Sequence, residues 1–112
     1  MPIANCVISN QLWESRDLTA DPVTLWAARS SQDSNHMTIN ISVARAQYGN
    51  AYSVVANLLV PASWSAEGLA SLQSGLSSAL ETYLSVSSGE IIICTSVISS
   101  GHVFEGGQLL RW

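Results

Sequence analysis

Few side chains in this sequence have chemistry to offer, and the first of them is Pro2, in the opening stretch MPIANCVIS. While Met1 is attached, the Pro2 nitrogen is an amide without a basic lone pair. Removal of Met1 turns it into a secondary amine at the chain terminus, where an ordinary pKa is about 8. Burial among apolar residues such as Ile3, Ile92 and Ile98 would lower that pKa by penalising the charged form. Such an amine is suited to general base work near neutral pH, taking a proton alpha to a carbonyl and returning it elsewhere. The plainer reading of Pro2 is a strand's first residue, where a missing N–H costs little. No lysine occurs, so the terminus carries the only amine of the chain.

The remaining candidates each have two readings. Arg45 is an anion-binding residue or a solvent-facing one at the end of a strand. His102 donates a hydrogen bond into a pocket or is a structural histidine beside a turn glycine. Cys94 is a pocket nucleophile or, as the commoner case, an inert buried thiol. Trp64, Phe104 and Trp112 pack the core and interfaces, or form a pocket wall. No histidine, cysteine or carboxylate cluster has metal-ligand spacing, so neither a metal nor another cofactor is expected.

The chain that must position these groups has 112 residues, enough for one domain with a modest core. Apolar residues make up 47% and charged residues 11%, against about a quarter charged in a typical chain. So thin a charge layer suggests that partner subunits cover part of the surface. A net charge of −4 and no basic stripe argue against nucleic acid as a partner. The absence of a long apolar run or a signal-like start argues against a membrane and points to the cytoplasm. Cys6 and Cys94 lie in apolar runs and read as buried free thiols of a reducing compartment, with a disulfide as the other possibility.

A doubled pattern organises the chain. Residues 3–9 (IANCVIS) and 55–61 (VANLLVP) match in register at an offset of 52, which also pairs Ile39 with Ile91, Ile41 with Ile93 and Gly49 with Gly101. In the second half Leu69, Leu72, Leu76, Leu80 and Tyr83 recur at helical spacing, with Ser65 as N-cap and Ser87-Ser88-Gly89 as the exit. In the first half Asp21-Pro22 opens a shorter helix carrying Val23, Trp26 and Ala27, and SSQDSN ends it. The preceding NQLWESRDLTA reads as an irregular loop. MTINISVA alternates as a half-buried strand, whereas YSVVANLLVP and EIIICTSVI read as interior strands covered on both faces. The expected fold is α+β: a duplicated βαβ unit (βαββαβ), pseudo-repeats at about 2–50 and 54–102, a four-stranded mixed sheet with two helices on one face, and a C-terminal hairpin over 103–112 turning at Glu105-Gly106-Gly107.

Together, MPIANCVIS, the doubled unit and GHVFEGG resemble the tautomerase superfamily, in particular its longer members built like macrophage migration inhibitory factor and the trimeric dehalogenases. The resemblance implies a homotrimer with active sites between subunits. It also implies a freed Pro2 as general base and acid on a small carbonyl compound undergoing keto–enol transfer, or a related lyase or hydratase step. It places Asn40, Arg45, Trp64, Ile92, Cys94, His102 and Phe104 in or near the substrate pocket. Trp64 stands where carboxylate-using relatives generally carry an arginine, Asn40 near the place of another, and Ile92 and Cys94 where polar residues are common. The alternative is a non-catalytic assembly or ligand-binding protein of the same fold that has lost its pocket arginines. A ferredoxin-like dimeric α/β-barrel, as in cofactor-independent monooxygenases, shares the βαββαβ order.

Overall fold

In the computed structural model, which describes residues 1–112, strands β1 (Ile3–Ile8) and β3 (Val54–Pro61) form the centre of a four-stranded mixed sheet. Strands β2 (Thr38–Val43) and β4 (Ile91–Ile98) are its edges, giving the order β2-β1-β3-β4. β1 runs parallel to β2 and β3 parallel to β4, while β1 and β3 are antiparallel. This is the expected pair of βαβ units. The register is informative: Asn5 lies opposite Asn57, its own counterpart in the sequence repeat. Gly49 and Gly101, also matched at the offset of 52, share a left-handed backbone with φ of 86° and 84°.

Alternation along the strands separates the two faces of the sheet. Ala4, Cys6 and Ile8 of β1 and Val54, Ala56, Leu58 and Val60 of β3 point to the helical layer and are fully buried. Ile91 and Ile93 of β4 pack against the same core. The opposite face is uncovered in the single chain, and three rows cross it: Thr38, Ile3, Leu59 and Ser96; Asn40, Asn5, Asn57 and Cys94; Ser42, Val7, Val55 and Ile92. Asn40 Nδ2 donates to Asn5 Oδ1 at 2.9 Å in the middle row. The expectation of strands covered on both faces therefore fails in the single chain for both: β3 presents Val55, Asn57 and Leu59 to the open face, and β4 is an edge strand whose Cys94 is exposed rather than buried. β-branched content alone does not distinguish an edge strand from a central one.

Above the sheet lie α2 (Pro22–Ser30) and α3 (Ala66–Leu84). Asp21 caps α2 by accepting from the Val23 N–H, and Ser65 caps α3 by accepting from the Gly68 N–H. Both helices end at a serine in the left-handed region, Ser31 and Ser85, and each is followed by a 3-10 turn, Ser34–His36 and Ser88–Glu90. The α3 exit thus falls at Ser85, earlier than the expected Ser87-Ser88-Gly89, which belongs to the second turn. The two helices approach closely: Gly75 of α3 packs on Ser30 of α2, and a Cβ there would collide with Ser30 Oγ. Trp26 is fully buried between them and donates its Nε1–H to the Leu72 carbonyl at 3.0 Å.

Two segments complete the chain. Residues Asn10–Glu14, expected as loop, form a short helix, α1. Its N-cap Ser9 accepts from the Leu12 N–H, and Leu12 and Trp13 pack against the core edge. One turn and two anchoring side chains suffice, below the length at which periodicity is visible in sequence. The C-terminal hairpin pairs β5 (Val103–Glu105) with β6 (Gln108–Leu110), leaving Phe104, Leu109 and Trp112 exposed.

Candidate active site

Topology decides what gathers around Pro2. Because β2 is parallel to β1, the connection from α2 must return to the end of the sheet where β1 starts. Because β3 is antiparallel to β1, the β3–α3 connection leaves at that same end. Both connections meet Pro2 there, around a cavity of about 170 Å³. Met1 and Pro2 line it from β1, Gln32, Asp33, His36 and Met37 from the α2–β2 connection, and Trp64 from the β3–α3 connection.

Pro2 is buried, and its carbonyl accepts the Thr38 N–H at 3.1 Å, which ties the start of β1 to the start of β2. The proline ring is therefore held by the sheet at a cavity wall, with Met1 on its nitrogen filling part of the same space. Asp33 is fixed as the N-cap of the 3-10 turn, where Oδ1 accepts the Asn35 N–H at 2.9 Å. The turn closes through the Met37 N–H to the Ser34 carbonyl at 3.1 Å and brings His36 to the rim and buried Met37 to the floor. Trp64 is seated by Gly68 one turn into α3, where a Cβ would stand 3.0 Å from the indole ring. The cavity thus combines an apolar base with the polar side chains of Gln32 and His36, one carboxylate and no arginine.

Of the residues singled out from the sequence, Pro2 and Trp64 come together in this cavity and the others do not line it. Asn40, Ile92 and Cys94 lie on the uncovered face, on the far side of the sheet from the helices. Ile92 is also level with Val7, five residues along β1 from Pro2, or about 17 Å. Arg45 follows β2 at the opposite end, where it borders a second cleft with Ser9, Gln47 and Tyr52. His102 and Phe104 belong to the hairpin. The His102 N–H donates to the Ser99 carbonyl at 3.1 Å, and Phe104 is 72% exposed. Gln32, Asp33, His36 and Met37 were missed by sequence reasoning because SSQDSNHM carries only a helix-stop signal. The parallel βαβ order was the signal that placed that segment beside Pro2.

Cys6 lies in the core, and burial pushes its thiol up to about 11, so it is not a nucleophile near neutral pH. No group of three or more histidine, cysteine or acidic residues is placed to hold a metal ion, and no helix is long and apolar enough to cross a membrane.

The sequence matches no protein-family model and no curated protein. The fold, in contrast, is that of known structures. A member of the cis-3-chloroacrylic acid dehalogenase family superposes with a TM-score of 0.73 at 12% identity, covering 97% of this chain and 83% of that one. A fused 4-OT wild-type symmetric trimer gives 0.73 at 13% identity, covering 96% and 94%. Macrophage migration inhibitory factor from Oncomelania hupensis gives 0.72 at 13% identity, covering 99% and 83%. The chain therefore has the tautomerase-type fold expected from its opening residues and its doubled unit, over nearly its whole length.

Proposed function

We propose that this protein is a tautomerase-like isomerase that uses Pro2, freed by removal of Met1, to move a proton on a small carbonyl compound. The observation that carries the reading is the placement of Pro2: buried, anchored through its carbonyl to Thr38, and facing a cavity bounded by Trp64 and Met37. An amine there is desolvated, which favours its neutral, basic form. Carbonyl substrate enters above the ring, the proline nitrogen takes the alpha proton, and the resulting ammonium returns it to the enolate oxygen or a second carbon. The same geometry serves a lyase or hydratase step.

The working form we propose is a homotrimer. The uncovered face exposes Val7 and carries Ile3, Val55, Leu59 and Ile92, too much apolar surface for a lone chain with so few charges. One of the fold relatives is itself described as a symmetric trimer. In such an assembly Asn40, Cys94 or hairpin residues of a neighbour reach the cavity only across the subunit boundary. Free Cys6 and Cys94 suit a reducing cytoplasm.

The second reading, a non-catalytic binding or assembly protein, is favoured by one observation: no arginine lines the cavity. Processed protein should convert a small enol to its ketone, and Pro2→Ala should lose at least roughly a hundredfold in turnover. Unchanged turnover in the variant removes the proline from the mechanism. Retention of Met1 in protein from its native cell, seen by intact mass, rules for the binding protein.

A further inference from the structure

We infer that the Pro2 cavity selects carbonyl compounds that carry no carboxylate, and that Asp33 is the residue setting this preference. The inference rests on the Pro2 cavity being the substrate site. Its first ground is the location of every guanidinium in the chain. There is no lysine, and the arginines number four. Arg16 stacks on Trp13, 3.7 Å from the ring centroid, and donates to the Trp13 carbonyl. Arg29 is committed to α3 through the Ser78 carbonyl and Thr82 Oγ1, each at 2.6 Å. Arg45 sits at the other end of the sheet, and Arg111 lies in the hairpin beside Gly101.

The second ground is what the cavity has in place of a cation. Asp33 lines it with a carboxylate whose Oδ1 is held by the Asn35 N–H, so the charge is fixed at the wall. A substrate carboxylate would enter against that charge with no guanidinium to offset it. Gln32 and His36 border the same space, and neither side chain hydrogen-bonds within the chain, so both are free to donate to an uncharged carbonyl oxygen. Trp64 and Met37 supply the apolar remainder. The arrangement fits a neutral ketone or ester, or one bearing an amine.

The test uses full-length processed protein with tryptophan replaced by 5-fluorotryptophan, the Trp64 resonance being assigned by its loss in Trp64→Phe. Phenylpyruvate and its methyl ester are titrated separately, and ketonisation of the two enols is followed in parallel. The expected result is tighter binding of the ester than of the acid at the Trp64 signal. In Asp33→Asn, which keeps an oxygen for the Asn35 cap, the ratio should move toward the acid by roughly three- to tenfold, the screening of a rim charge setting the size. Equal or tighter binding of the acid in the unaltered protein overturns the inference and means that a cation offsets Asp33, either the Pro2 ammonium or an arginine from a neighbouring copy. An unmoved ratio in Asp33→Asn overturns the role of Asp33, and binding of neither compound overturns the selectivity altogether. Selective binding without turnover of either enol leaves the inference standing and sinks the isomerase instead.

Discussion

The two βαβ units of this chain share a plan and differ in what they spend it on. In the second unit α3 runs for 19 residues, and Leu72, Leu76, Ala79, Leu80 and Leu84 are fully buried against the sheet. In the first, α2 runs for 9 residues, and only Trp26, Ala27 and Ser30 are buried. The short helix leaves residues 31–37 to travel as a polar connection, and that connection makes the cavity wall beside Pro2. One copy of the duplicated unit thus supplies most of the core, and the other gives up helix length for a cleft at the sheet's end. The lesson is that a repeat need not divide stability and chemistry evenly.

The sharpest way to break the comparison is Leu76→Ala. It should cost about 3 kcal/mol by emptying a fully buried site in α3, read as a lowered urea midpoint, whereas Pro2→Ala should move that midpoint little while removing turnover. Next comes Gly75→Ala, at the contact joining the units. The added methyl meets Ser30 Oγ and stands 3.0 Å from the Ser30 nitrogen. The helices must separate, and a loss of about 2 kcal/mol is expected despite alanine's better helix propensity. Smaller effects follow at the caps. Asp21→Ala and Ser65→Ala each remove one N-cap hydrogen bond, worth about 1 kcal/mol. Hydrogen exchange should show the short α2 opening locally in the first variant, and α3 staying protected in the second.

The cysteines give the mildest test, without mutation. At pH 8 a thiol-disulfide reagent should modify Cys94 of the exposed row and spare Cys6, whose pKa of about 11 leaves almost no thiolate. Raising the pH toward 11 increases the Cys6 thiolate, so its modification should accelerate there, or at any pH once the chain unfolds. Slow modification of Cys94 in the native protein would mark the sheet face as covered by other copies.

Much of this fold was legible because its signals are local. The leucine spacing from Leu69 to Tyr83 needs a helix, Asp21-Pro22 and Ser65 are capping chemistry, and IANCVIS and VANLLVP announce their equivalence by type. The α1 turn escaped notice because five residues carry too little periodicity. The candidate site was less legible. Trp64 lines the cavity beside Pro2, whereas Asn40, Ile92 and Cys94, which the resemblance implies near a pocket between subunits, lie within one chain on the other face of the sheet. Gln32, Asp33 and His36 are ordinary polar residues in a helix-breaking segment, and their types gave no warning of their position.

By itself the sequence determined the duplicated strands and helices, the unique place of Pro2 at a position where the second copy has Val54, and the scarcity of cations. Those follow from side-chain type, spacing and count. Only the tertiary structure decided that the α2–β2 connection and Trp64 meet Pro2 while Arg45 is carried to the far end. Strand direction sets which loops share an end of the sheet, and the alternation of side chains sets which face each residue serves. Neither quantity is local, so the company that Pro2 keeps depends on the assembled sheet.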